Sequence, residues 1–225
     1  EDLTLVDHLG RDVLRGEVEL AEARSRLARI VSSGHVLPRW AATLGWGVMA
    51  AGVGLQLGGG PVVVVLAFLA AVAIDLLQAA MSRRRIPFFY RQVAGGGVAT
   101  LIAVLAASTW IDLDPSLVVT ANIVMLLAGI GFMGALQDAL SGFYVTAGAR
   151  LTEALLTTAG IIAGVSGGLQ VADLLGVQVG RLEPGASDLK EVSVMAAGSA
   201  IGAAAFAFAS YAPRRTLVTV GLVAA

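Results

Sequence analysis

No cysteine occurs among the 225 residues, which excludes disulfides and thiol chemistry. Charge is almost as scarce: 14% of residues are Asp, Glu, Lys or Arg, and the net charge is −1. No basic surface suited to nucleic acid follows from such a balance. The two histidines, His8 and His35, have no partner at metal-ligand spacing, and no nucleophile elbow, phosphate loop, zinc signature or paired catalytic carboxylate is present. Neither enzymatic chemistry nor a bound cofactor is expected. Segments of about ten residues alternating in polarity, the mark of a membrane barrel, are also missing.

What the chain has instead is apolar length. Hydrophobic residues make up 57% of it, and the mean hydropathy is +0.83, far above a soluble domain. Continuous apolar runs near twenty residues predict an all-α, polytopic membrane protein. Its 28 glycines point to helices packed by close backbone approach.

A hydrophilic segment, residues 1–37, comes first. Leu5, Val6, Leu9 and Val13, then Leu27, Ile30 and Val31, fall at helical spacing, and Asp7–Arg11 and Glu22–Arg26 are opposite charges four apart. One or two amphipathic helices follow from this, and the order of its regions is not that of a signal peptide. A five-span unit is expected over 38–180: Trp40–Leu57, Pro61–Met81, Gln92–Thr109, Ser116–Leu136 and Leu151–Leu175. Residues 190–225 read as the start of a second unit, with span 6 at Val192–Tyr211. A seventh run begins at Thr216 and reaches Ala225 after about ten residues where crossing takes about twenty, so a continuation is expected.

Arginines fix the expected orientation, since basic residues in short loops stay on the cytoplasmic side. Arg83, Arg84, Arg85 and Arg91 lie between spans 2 and 3, Arg150 between spans 4 and 5, and Arg214 and Arg215 after span 6. In the opposite loops, 58–60 and 110–115 carry no basic residue, and Arg181 and Lys190 are outnumbered by Glu183, Asp188 and Glu191. A cytoplasmic N-terminus in the inner membrane is predicted. The triplet Arg83–Arg85 also has the composition of an anionic-lipid contact, although topology alone accounts for it.

Ionisable groups near membrane spans are costly and therefore informative. Asp75, inside span 2, is a candidate proton or cation carrier, or else caps a neighbouring helix. Asn122 in span 4 suits either a polar substrate or a bond across helices. Gly129, Gly131 and Gly134 permit a break in span 4 whose freed backbone groups could bind a ligand, or simply close packing. Beyond them, Gly134, Asp138 and Ser141 share one helical face, while Thr146, Arg150, Glu153 and Thr157 share another. Two polar faces meeting at one connection are expected to line an aqueous vestibule. The plainer alternative is a solvated Arg150–Glu153 pair, worth about 0.2–0.5 kcal/mol. Gly160, Gly164 and Gly168, like Gly198 and Gly202, recur every four residues and mark tight helix contacts.

The stretches LPRWAATLGWGVMAAGVGLQLGGG at 37–60, RRRIPFF at 83–89 and, most specifically, LLAGIGFMGALQDALSGFYVTAGARLTEALL at 126–156 resemble the threonine/serine exporter family. The resemblance implies a hydrophilic region, then two five-span units, fused or supplied as separate subunits, and it places span 6 at the opening of the second. Split-form relatives are associated with dicarboxylates such as succinate. Family members often read LLPG where this chain has Leu126–Gly129, so the proline that would impose a break in span 4 is absent. The family's charged positions fall on Asp138 and Arg150, and a following acidic one on Glu153.

An odd span count per unit inverts the next, which implies an inverted repeat and alternating access. A zwitterionic substrate is then expected to meet Arg150 or amides near Gly129, Gly131 and Gly134 through its carboxylate. Its ammonium would meet Asp138, and a hydroxyl Asn122 or Ser141. Proton coupling falls to Asp75, Asp138 or Glu153. The expected partners are the lipid bilayer, a small amino acid, protons and a second five-span unit, with a homo-oligomer as a further arrangement. A non-transporting membrane scaffold is the reading from another class.

Overall fold

The computed structural model describes residues 2–32, 38–108, 114–127, 129–176, 189–212 and 214–225. Every regular element described is a helix: α1 (Asp2–Leu14), α2 (Leu20–Ser32), α3 (Arg39–Gln56), α4 (Pro61–Arg83), α5 (Phe88–Ser108), α6 (Pro115–Leu126), α7 (Gly129–Leu140), α8 (Tyr144–Leu174), α9 (Leu189–Ala209) and α10 (Arg214–Ala224). His35, the 110–113 part of one arginine-poor loop, Arg181, Glu183 and Asp188 lie outside the described residues, as do the side chains of Asp7, His8 and Lys190.

Helices α1 and α2 pack on each other, with Leu9 and Ala23 buried between them. Glu22 accepts from Arg26 Nη2 at 2.7 Å on the exposed side, the i,i+4 pair expected there.

The membrane portion differs in detail from six full spans. Four helices, α4, α5, α8 and α9, are long and apolar enough to cross, and the bent pair α6/α7 makes a fifth. The chain is thus a polytopic helical membrane protein. Helix α3 sits among them, packed on α4, α6 and α9, but Arg39, Gln56 and its glycines keep it from qualifying by composition. Helices α6 and α7 have 12 residues each, so each rises about 18 Å, short of the roughly 30 Å hydrocarbon layer. Helix α8 has 31 residues, about 46 Å. Its first turns therefore project past the apolar layer, which is why hydropathy alone started that span near Leu151 and not at Tyr144.

Small residues make the core. Ala50, Ala67, Ala71 and Ala121 form one buried cluster, and Ile74, Ala99, Leu126 and Ile161 another. Glycines set two helix crossings. In the first, α5 runs parallel to α8: a Cβ at Gly160 would lie 2.9 Å from Phe89 O, one at Gly164 would collide with Val93 O, and one at Gly168 would meet Thr100 Cβ at 2.6 Å. In the second, α3 runs antiparallel to α9. A Cβ at Gly45 would lie 3.1 Å from Ala209 Cβ, one at Gly52 2.6 Å from Gly202 N, and one at Gly198 2.6 Å from Gln56 N. The string VMAAG occurs in both helices of this crossing, at 48–52 and 194–198. Superposing the two strings maps Gly52 onto Gly198 and Gln56 onto Gly202, so the Gly52–Gly202 contact and the Gln56–Gly198 contact exchange places.

Candidate functional site

The turn after α7 brings the two charged faces together. Gly142, at φ +85°, takes the left-handed position that ends the helix, with Gly142 N–H donating to Ala139 O (3.1 Å) and Phe143 N–H to Asp138 O (2.8 Å). Helix α8 starts at Tyr144 and folds back along α7. Arg150, about two turns into α8, then faces Asp138: Nη1 lies 3.0 Å from Oδ2. The contact is an ion pair without an aligned N–H, and Oδ2 itself is shielded from solvent. The Asp138 side chain is 22% exposed and that of Arg150 48%, so water reaches the pair from the arginine side.

Arg150 therefore pairs with the carboxylate across the turn rather than with Glu153, which is exposed. Ser141 is exposed beyond the end of α7. Thr157 is buried and donates to Glu153 O at 2.8 Å, an internal helix bond.

Gly134 ties the pair to a cavity. A Cβ there would lie 2.7 Å from Arg150 Nη1, so the guanidinium occupies space that only glycine leaves. Gly131 and Gly134 also line a cavity of about 830 Å³. Its walls are a face of α3 (Trp46, Met49, Val53, Gln56), the residues around the α6/α7 break, Gln137, and a face of α9 carrying Ser199, Gly202 and Phe206. Trp46 and Phe206 meet edge to face at 5.9 Å. Asp138 and Arg150 are not in the wall; they stand at its edge, behind Gly134.

The break forms without a proline. Asp114 caps α6, accepting from Ser116 N–H at 2.9 Å, and Pro115 follows at the first helical position. At the other end Leu127 is extended, with ψ 134°; α7 restarts at Gly129, and the two halves meet at 40°. The last carbonyls of α6 and the first amides of α7 thereby lose helical partners.

Two candidates lie apart from this site. Asn122 is fully buried, its Nδ2 donating to Val118 O at 2.8 Å while Oδ1 has no partner among the described residues; it is not in the cavity wall. Asp75 accepts from Thr43 Oγ1 at 2.7 Å, joining α4 to α3. The same hydroxyl lies 3.2 Å from Arg39 O, so its one hydrogen is shared or alternates. Among the described residues no group of three or more His, Cys, Asp or Glu could hold a metal ion.

Sequence reasoning passed over Trp46, Gln56, Ser199 and Phe206. Their signal was the VMAAG recurrence, which marks α3 and α9 as related helices whose equivalent faces would share a wall.

Gly134 provides a direct test of the coupling between wall and ion pair. Changing Gly134 to Ala should push the guanidinium off Asp138 while leaving the helices in place, since the colliding atom is the end of a flexible side chain. The melting temperature of the purified protein should fall by a few degrees, as loss of one ion pair would give, with unchanged protein level in the membrane by immunoblot. Gly131→Ala, where a Cβ meets nothing within 4 Å, should leave the pair intact.

Comparison with known proteins places this arrangement. The family described as "Putative threonine/serine exporter" matches residues 1–172. A "Probable threonine/serine exporter" of Mycobacterium tuberculosis is 35% identical over 228 residues, covering 99% of this chain and 43% of that protein. A "Threonine/serine exporter" of Corynebacterium glutamicum is 34% identical over 227 residues, covering 99% of this chain and 46% of that protein. The chain thus spans a little under half the length of these relatives. No solved structure matches it.

Proposed function

This chain belongs to the threonine/serine exporter family, and from that premise we propose that it forms part of a secondary transporter exporting threonine and serine, driven by the proton gradient. The observation that carries the reading is the Asp138–Arg150 pair at the edge of the cavity. A zwitterionic amino acid carries both charges that the pair satisfies internally. It can enter by exchange, its carboxylate taking the guanidinium and its ammonium the carboxylate, so that no charge is left unpaired during substitution. Amides freed at the start of α7 add donors for the same carboxylate. Gln56, Gln137 and Ser199 supply polar contacts in a wall otherwise apolar.

Charge favours an amino acid over a dicarboxylate. Succinate needs two cations, and the pair offers Arg150 alone beside an acid that would repel it.

Alternating access is supported by the α3/α9 crossing. Two antiparallel helices that share a string and exchange contacts fit a pseudo-twofold axis in the membrane plane, the relation between inverted repeats. A second five-span unit, in the same chain or a partner subunit, would complete the transporter. The arginine distribution supports a cytoplasmic N-terminus. Proton coupling falls to Asp75, Asp138 or Glu153, and the bond of Asp75 to Thr43 links α4 to α3.

The test is efflux of labelled threonine, serine and succinate from vesicles loaded with each, holding the full-length protein, with and without an imposed pH gradient. Threonine and serine efflux accelerated by the gradient is expected. Flux indifferent to the gradient would indicate a passive channel, succinate-selective flux a dicarboxylate carrier, and no flux of any of the three a scaffold.

A further inference from the structure

Among the described residues, the end of α4 is the one place where the fold puts a charged residue in a conformation suited to glycine. Helix α4 closes with a Schellman motif: Ile86 N–H donates to Met81 O (3.2 Å) and Arg85 N–H to Ser82 O (3.0 Å). That motif requires a left-handed residue, and Arg85 supplies it at φ +57°. At the ends of α1, α3, α7 and α8 the same position is glycine, at Gly16, Gly58, Gly142 and Gly176. The other departure among the described residues is Tyr211, at φ +59°, an aromatic of the kind that settles at interfaces. A side chain kept where its backbone is strained signals a use for that side chain.

The surroundings say what the use is. Arg83, Arg84 and Arg85 are exposed, and their side chains have no ion-pair partner among the described residues. No acidic residue occurs between Asp75 and Asp112, so the cluster is not neutralised locally. Only residues 84–87 separate two helices long enough to cross the bilayer, α4 and α5, which holds the arginines at headgroup depth. Arg91 adds a fourth cation, its guanidinium 4.9 Å from the Phe88 ring centre, and Tyr90 beside it is 58% exposed. Topology requires basic residues in this loop, but it does not require one of them in the glycine position.

We propose that Arg83, Arg84 and Arg85 form a binding surface for anionic phospholipid headgroups, with Arg85 held in the left-handed conformation to complete it. Three adjacent guanidiniums present forked donors matched to phosphate oxygens. The site lies at the opposite end of α4 from Gly60 and shares no residue with the Asp138–Arg150 pair, so it stands whether or not the exporter reading does.

The experiment compares the full-length protein with Arg85→Gly and Arg84→Gln/Arg85→Gln in phosphatidylcholine nanodiscs and in nanodiscs containing phosphatidylglycerol. Bound lipid is counted by native mass spectrometry and thermal stability is read in parallel. Each lost arginine should weaken phosphatidylglycerol retention about fivefold, the factor corresponding to about 1 kcal/mol per basic residue at an anionic surface. Arg85→Gly should at the same time melt higher than the parent in phosphatidylcholine, because the strain is relieved while the motif remains. A purely structural role predicts the reverse pairing, lower stability with unchanged lipid retention, and would overturn the proposal. So would phosphatidylglycerol retention by the double variant equal to that of the parent. Arg83 and Arg91 stay in every variant, which preserves the loop's topological signal.

Discussion

Replacing Asp138 with asparagine is expected, on the proposed exporter function, to cut threonine efflux about 10- to 100-fold while the protein remains folded in the membrane. The size follows from losing one charge-assisted contact to the substrate ammonium, about 1.5–3 kcal/mol. Folding is spared because Asn keeps the shape and because Arg150, with 48% of its side chain exposed, can take water in place of its partner. Loss of efflux alone does not separate a substrate contact from a staple holding α7 to α8. The charge-swapped double variant, Asp138→Arg with Arg150→Asp, does. A staple tolerates reversal and efflux would return; a site that orients a zwitterion presents its charges in the wrong order, and efflux stays low although the ion pair is restored. Normal efflux in Asp138→Asn would remove this residue from the mechanism.

The same pair shows which parts of the site could be read without coordinates. Asp138 and Arg150 stood out because each is a charge set beside an apolar run, and their faces could be computed from helical spacing. That they meet depended on Gly142, whose positive φ closes the turn tightly enough for residues twelve apart to face each other. The break in the fourth span could be placed by its glycines but not asserted, since no proline enforces it; Leu127 turning extended is a tertiary outcome. Asn122 reads from sequence either as a substrate contact or as a bond across helices; it is buried in the bundle, donating to Val118 O of its own helix, outside the cavity wall. The cavity itself was out of reach. Its wall comes from α3, α6, α7, α9 and α10, most of them distant in sequence, and no single stretch of the chain carries its pattern.

Hydropathy passes over α3 for a related reason. A hydropathy window measures exposure to lipid, whereas α3 is packed on three neighbours and can keep glycines, Thr43 and Gln56 that lipid would not accept. Where a helix is enclosed by protein, its polar groups are satisfied there: Thr43 reaches Asp75 at 2.7 Å, so each explains the other's tolerance in the apolar layer.

Gly164 carries the other large expectation. Glycines at 160, 164 and 168 lie every fourth residue along α8, so they form one stripe, and the whole stripe faces α5. At its centre a Cβ would overlap Val93 O and stand 2.8 Å from Gly97 N. Both are backbone atoms of a helix, and neither can rotate away as a side chain does. Gly164→Ala must therefore move α5 and α8 apart along their whole contact, opening gaps at Gly160 and Gly168 in a bundle whose cohesion in lipid comes from close packing. A cost of about 3 kcal/mol or more is expected, the upper end for overpacking and a large fraction of a total of about 5–15 kcal/mol. Gly167, three residues along and exposed beside the stripe, has nothing within 4 Å of its Cβ position. Gly167→Ala should be retained at the parent level, and there alanine favours the helix. Detergent-solubilised yield and melting temperature of the two variants distinguish a packing stripe from a general intolerance of alanine. Equal recovery of both would mean that α5 and α8 do not approach at Gly164, and the parallel crossing described for them would have to be abandoned.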